Sequence, residues 1–294
     1  MRQKTSILDK VFVVSNYTFF IFMGVITIFP FLNLIAKSMS SEAAVISGQV
    51  NLLPVDLQFG TYAYVISDKL FQSAFINSVI VTVAGTLLSL IMTALSAYPL
   101  SKPKLRGRKI FILMFVFTML FSGGLIPTYL LIRELGLVNT LPVLFLPGMI
   151  SVFNMLVIKS YFENIPEALE ESAKIDGASN IRTLFQVVLP LSLPVLATIA
   201  LFYAVAFWND FFTAMIYINS PDLKPLQLYL KELLASANNI FLKLDTIDVN
   251  MAMNVSPQAI QSASIIVATI PILLVYPFLQ KYFVKGVMLG SVKG

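Results

Sequence analysis

Asn164-Ile-Pro-Glu-Ala-Leu-Glu-Glu-Ser-Ala-Lys-Ile-Asp-Gly-Ala-Ser179 is the stretch that decides the reading of this 294-residue sequence. Pro166 suits the first position of a helix, where its missing N–H costs nothing. Glu167, Glu170 and Glu171 follow in the first turns, where the helix dipole favours negative charge. Glu170 and Lys174 are four apart and can pair weakly. Ala168, Leu169, Ser172 and Ala173 make a small, mostly apolar face. Gly177 stands where a helix commonly ends in a left-handed residue. Ser179 is a good N-cap for a second helix, along which Ile181, Leu184, Phe185 and Val188 recur at the spacing of one face. Leu189-Pro190 and Pro194 close the segment. The spacing predicts a helix–glycine–helix elbow. An amphipathic helix lying among lipid headgroups carries Lys and Arg on its polar face. Here the polar face is mainly Glu, which favours a docking element for another protein.

Outward from the elbow, the sequence is apolar. Hydrophobic residues make up 57%, charged residues 12%, and the mean hydropathy is +0.85. A soluble domain carries about twice that charge, and a disordered chain more still. The class is an all-α polytopic membrane protein. Six stretches have the ~20 apolar residues a span needs: about 11–36, 71–100, 110–132, 141–158, 195–218 and 259–282. The first is too long for a signal-peptide core and no A-x-A site follows it, so it is expected to remain as an anchor. With the N-terminus inside, the inner segments hold fourteen Lys and Arg, among them Lys102, Lys104, Arg106, Arg108 and Lys109, and the outer segments six. Both termini are therefore expected in the cytoplasm. The whole chain, 1–294, reads as one transmembrane domain, with residues 160–194 a cytoplasmic loop within it. Two longer loops, Ser38 to Leu70 and Asn219 to Gln258, fall outside.

The absence of Cys and His excludes disulfides, Cys/His metal sites and Ser–His relays. No catalytic residue and no metal site is expected. The net charge of +5 is explained by orientation rather than by nucleic acid. The basic run Lys102 to Lys109 is most economically an orientation signal, with anionic headgroups as the other reading.

The elbow resembles the EAA loop of ABC-importer membrane subunits. Glu171-Ser172-Ala173, Gly177 and Val187-Val188-Leu189-Pro190 keep that pattern's spacing throughout, with Ser172 in place of Ala and Val187 in place of Ile. Asn77-Ser78, Gly107-Arg108-Lys109, Trp208-Asn209-Asp210 and the Gly290 to Gly294 tail are similar to the carbohydrate branch, the second permease of maltose-type and polysaccharide-type systems. Phe121 to Pro127 and Gln280 to Gly286 look more like the polysaccharide-type subset. The resemblance implies a type I importer permease fold in a bacterial cytoplasmic membrane. It implies a heterodimer with a second homologous permease, two ATPase subunits and an extracytoplasmic solute-binding protein that delivers carbohydrate. Glu167, Glu170, Glu171, Ser172, Ala173, Asp176 and Gly177 would then form the coupling helix seated on the ATPase. No G-x-x-x-x-G-K-[ST] phosphate loop occurs, so ATP and magnesium are expected on the partner and no cofactor on this chain.

Asp210 is the one ionisable residue well inside the expected spans, and such residues are usually functional. On a continuous helix Tyr203, Phe207 and Asp210 share a face, with Asn209 about 100° away. That set is a candidate sugar pathway; the other reading is that Asn209 and Asp210 bond to neighbouring helices or the partner permease. Gly123-Gly124 and Pro127 interrupt the third span, read as a kink or a close helix contact. The alternative function is an ion-coupled secondary transporter of a small polar solute, which normally shows internal repeats and several buried ionisable residues. The orientation has a direct check. In intact cells Lys104→Cys, the sole cysteine, is expected to resist an impermeant thiol reagent; labelling there overturns the topology.

Overall fold

The computed structural model describes residues 7–235 and 256–291, with side chains described to residue 277. Arg2, Lys4, Lys243, Lys293 and both termini lie outside the described residues, as do the side chains of Lys281, Lys285 and the Gln280 to Gly286 stretch and the end of the Gly290 to Gly294 tail. Among the described residues the secondary structure is helical throughout. Three helices among the described residues are long and apolar enough to cross a membrane: α1 (Ile7–Ser38), α4 (Lys69–Ser101) and α14 (Pro257–Ser291), the last over Pro257–Pro277. Between α1 and α4 stand two short helices, α2 (Glu42–Ile46) and α3 (Gly60–Ser67).

The other three expected spans are not single rods. The third is α5 (Arg108–Leu120) and α6 (Leu125–Glu134), bent by 110° at the glycines. Gly124 has φ +90°, a conformation that costs a side-chain-bearing residue dearly. Space is open around Gly123, so the pair makes a bend and not a close helix contact. The fourth is a 3₁₀ turn at Leu141–Leu144 followed by α7 (Val152–Glu163), capped by Ser151. Twelve residues rise only ~18 Å against a hydrocarbon core of ~30 Å. The fifth is α11 (Leu193–Asn209) followed by the separate helix α12 (Phe212–Tyr217). The elbow occupies α8 (Glu167–Ile175), α9 (Asn180–Thr183), a π turn at Leu184–Val188 and α10 (Leu189–Leu191), and α9–α10 meets α11 at 86°. A 3₁₀ turn at Pro221–Leu223 and α13 (Leu226–Ala235) follow α12.

The packing divides into two units: the described parts of 1–68 with 232–269, and of 69–231 with 270–294. In the first unit α1 is exposed almost throughout, with only Ala36 and Ser38 buried. Ala36, Ala44, Val45 and Val50 form its small core. Ser40 is its polar hinge pin: its hydroxyl donates to the Ala36 carbonyl at 2.6 Å and accepts from Val55 N–H at 3.0 Å.

In the second unit α4 is the central helix, packed against α7 and α11. Its buried residues are largely small or hydroxylated: Ala74, Ser78, Gly85, Ser89, Thr93 and Ala97. Such faces let helix backbones approach closely in a membrane, where lipid removes the hydrophobic drive to associate. At Gly85 an added Cβ would sit 2.9 Å from the Phe207 ring and 3.0 Å from Phe145 Cβ. Two networks fasten the unit. Asn77 Nδ2 donates to the Asp222 and Lys224 carbonyls at 2.7 and 3.2 Å, and Ser78 Oγ accepts from Leu226 N–H at 2.8 Å. Asn139, at φ +60°, accepts from Asn219 and Ser220 N–H at 3.0 and 2.9 Å. Asn tolerates that backbone better than other side-chain-bearing residues.

Deeper in the same unit, the Tyr203 hydroxyl accepts from Ser151 N–H at 2.9 Å and shares a 2.7 Å hydrogen bond with Thr93. It joins α11, the start of α7 and α4. Tyr203→Phe strips the buried Thr93 hydroxyl and the half-buried Ser151 N–H of their partner, a cost of about 1–2 kcal/mol. A fall of about 3 °C in the melting temperature of detergent-purified protein is expected, with the exposed-face change Phe111→Leu as control. An unchanged melting temperature would remove this junction from the account of stability.

Candidate functional site: the α8 elbow and the α11 break

Helix α8 starts at Glu167, one residue later than the proline rule suggests. Pro166 stands at its N-cap, its carbonyl accepting from Leu169 N–H at 3.2 Å. The C-terminal stop is fully formed. Gly177 has φ +79°, its N–H donates to the Lys174 carbonyl at 3.0 Å, and Ala178 N–H donates to the Ala173 carbonyl at 2.9 Å. These two bonds are a Schellman motif. Ser179 Oγ then accepts from Arg182 N–H at 3.3 Å and opens α9. The expected single face of the second helix is divided by the π turn. Leu184 and Val188 are buried, whereas Ile181 and Phe185 are exposed. A π turn adds a residue to the helical repeat, so the 3.6-residue spacing no longer puts the four side chains on one side.

The carboxylates of α8 do not act as one set. Glu167 and Glu171 are exposed, as is Asp176 just beyond the helix. Glu170 is 7% exposed and is the only buried residue of the helix. It pairs not with Lys174 but with Lys102, which follows α4 in sequence. The Lys102 ammonium also lies 4.7 Å over the Tyr98 ring. Of the small face, Ser172 and Ala168 are exposed and Ala173 half-buried. Leu169 and Ile175 remain 43% and 86% exposed, so apolar side chains stand among outward carboxylates. A cleft of about 510 Å³ borders the helix, lined by Tyr98, Lys102, Lys104, Glu167, Glu170 and Glu171.

The basic run has an architectural use that charge counting missed. Arg108 donates through Nε to the Leu100 carbonyl at 2.7 Å, satisfying an orphan acceptor at the end of α4. Its guanidinium also pairs with Glu163, which takes Lys159 at 2.8 Å. The turn between α4 and α5 is thereby bolted to the end of α7.

The α11 residues separate. Tyr203 is buried and its hydroxyl is committed to Ser151 and Thr93. Phe207 stacks on Tyr203 with centroids 6.2 Å apart and covers Gly85. Trp208 is buried with its ring edge-on to Phe75. Asn209 is exposed and donates back to the Val205 carbonyl at 2.9 Å. The helix ends there. Asp210 has ψ 108°, so the i, i+4, i+7 relation to Tyr203 and Phe207 is lost. Asp210 Oδ1 accepts from Thr213 N–H at 3.1 Å, the contact of an N-cap on α12. Periodicity carried the helix through this point because the residues on both sides are apolar. The signal for a break was Asn209-Asp210 itself, two poor interior residues with a good capping side chain. If capping is the role of Asp210, Asp210→Asn keeps the acceptor and holds the melting temperature to within about 1 °C, whereas Asp210→Ala costs about 1 kcal/mol. Equal losses from the two changes would instead assign the role to the negative charge.

The chain as a whole is similar to known proteins. Residues 86–289 match the family model described as binding-protein-dependent transport system inner membrane component. The polygalacturonan/rhamnogalacturonan transport system permease protein YtcP of Bacillus subtilis (strain 168) is 42% identical, over 97% of this chain and 99% of the relative. Protein LplC of the same organism is 46% identical over 97% and 96%. A chain in the crystal structure of a bacterial ABC transporter involved in the import of the acidic polysaccharide alginate superposes with a TM-score of 0.87 at 36% identity, covering 95% of this chain and 99% of that one. The fold is the type I importer permease fold, and the apolar helices place the chain in the membrane. By sequence match and by superposition, the chain belongs to the family of binding-protein-dependent transport system inner membrane components.

Proposed function

We propose that this chain is the membrane-spanning permease subunit of an ATP-driven importer of oligosaccharides or polysaccharide fragments. One observation carries the coupling half of that reading. The α8–Gly177–α9 elbow holds Leu169 and Ile175 exposed between outward-facing Glu167, Glu171 and Asp176. An apolar patch rimmed by charge is the anatomy of a protein contact, with the apolar centre giving affinity and the rim giving register. The substrate half draws on what the relatives are named for: polygalacturonan, rhamnogalacturonan and alginate are all polysaccharides.

In this reading residues 1–294 act as one transmembrane domain and 160–194 face the cytoplasm, with both termini on the same side. A second homologous permease completes the path, two ATPases seat on the elbows, and an extracytoplasmic binding protein delivers the sugar. The family's description as binding-protein-dependent supports the last of these. ATP and magnesium belong to the ATPases. Closure of the ATPases displaces α8, and the bend between α10 and α11 turns that displacement into a tilt of α11. Of the pathway candidates, Tyr203 is buried and Phe207 packs inside the unit, so the more accessible Asn209 and Asp210 at the α11 break are the ones to meet passing sugar, beside their own bonds to Val205 and Thr213. The ion-coupled alternative has no observation on its side.

The test uses the assembled transporter in proteoliposomes with oligosaccharides from digested alginate and polygalacturonan. Gly177→Pro forbids the left-handed stop, because proline is fixed near φ −65°. Glu171→Lys reverses a rim charge. Both are expected to insert normally and to lower ATP-driven uptake by about tenfold or more. Unchanged uptake by an inserted double variant overturns the coupling assignment.

A further inference from the structure

Helix α8 is fastened in an unusual way. Nine residues are too few to hold a helix in water without tertiary support, and surface helices usually obtain that support by burying an apolar stripe. Here Leu169 and Ile175 are left outside, and the one fully buried side chain is that of Glu170. Its partner Lys102 stands on the turn after α4 and is itself steadied over Tyr98, one helical turn earlier. That turn is fixed independently by Arg108 on the Leu100 carbonyl and on Glu163. Glu170 therefore meets a cation on a rigid mount.

We propose that Lys102 and Glu170 form a positioning strut that fixes the angle of α8 to α4, so that a displacement of the elbow is delivered to the central span. This rests on the coupling reading above and divides its carboxylates: Glu167 and Glu171 face the partner, and Glu170 acts within the chain. An apolar contact of similar size tolerates sliding. A charge pair with one partner almost fully buried has a single good geometry, which is the setting in which such pairs specify register. Glu170 is a positioning residue; it touches neither nucleotide nor sugar.

The chain's freedom from cysteine makes the test direct. Spin labels at Leu95→Cys on α4 and Lys174→Cys on α8 report the distance between the two helices in the assembled transporter. With the native pair the distance distribution is expected to be narrow and to keep its width when ATP and vanadate are added. Lys102→Met is expected to broaden it about twofold and to lower sugar uptake per ATP hydrolysed about tenfold, while hydrolysis itself continues. The exchange Lys102→Glu with Glu170→Lys restores both readouts to within about twofold. A distribution as narrow in Lys102→Met as in the native protein overturns the strut, as does an exchange variant that stays as impaired as the single change. The coupling reading fails separately: hydrolysis by the assembled ATPases would then be indifferent to Glu171→Lys, whatever the label distances show.

Discussion

Everything in the second unit depends on how closely other helices can approach α4. Lipid chains are as apolar as Leu, so exclusion from water does not draw helices together inside a bilayer. Association must come from close backbone contact and from hydrogen bonds made between helices. The face of α4 supplies both. Gly85 admits the Phe207 ring where any side chain would collide, and Thr93, Asn77 and Ser78 carry bonds to α11, to the turn at Pro221–Leu223 and to α13. α7 and α11 pack on this face with Met155, Ile158, Ile199 and Tyr203.

The breaks in the other apolar segments follow from the same physics. Backbone groups freed from a helix must find partners when water is scarce. At the α11 break Asp210 serves the first turn of α12. At the turn after α12, Asn139 collects two amide N–H groups that no helix satisfies. At the end of α4, Arg108 takes the Leu100 carbonyl. Asp210, Asn139 and Arg108 thus each serve a point where the chain changes direction.

The elbow obeys a different rule, because its apolar side chains stand outward and it must still be held. With Leu169 and Ile175 exposed, α8 buries no apolar side chain of its own. An inward carboxylate paired to Lys102 resolves the conflict, and the Schellman stop at Gly177 fixes the helix length. The π turn at Leu184–Val188 extends the division of labour into the following segment, burying Leu184 and Val188 and leaving Ile181 and Phe185 outside.

The sequence by itself determined the class, the apolar segments, the helix–glycine–helix elbow and the family, because these rest on local chemistry: hydropathy over about 20 residues, the left-handed freedom of glycine, and motif spacing. It did not determine how many of those segments are unbroken. Hydropathy is blind to backbone direction, so 110–132, 141–158 and 195–218 read as rods although they bend at Gly124, shorten to α7 and stop at Asn209. Nor did it show that Glu170 turns away from Glu167 and Glu171, or that Tyr203 is tied to Ser151. Those facts are contacts between residues 52 to 68 positions apart, and only the folded chain brings such positions within hydrogen-bonding range.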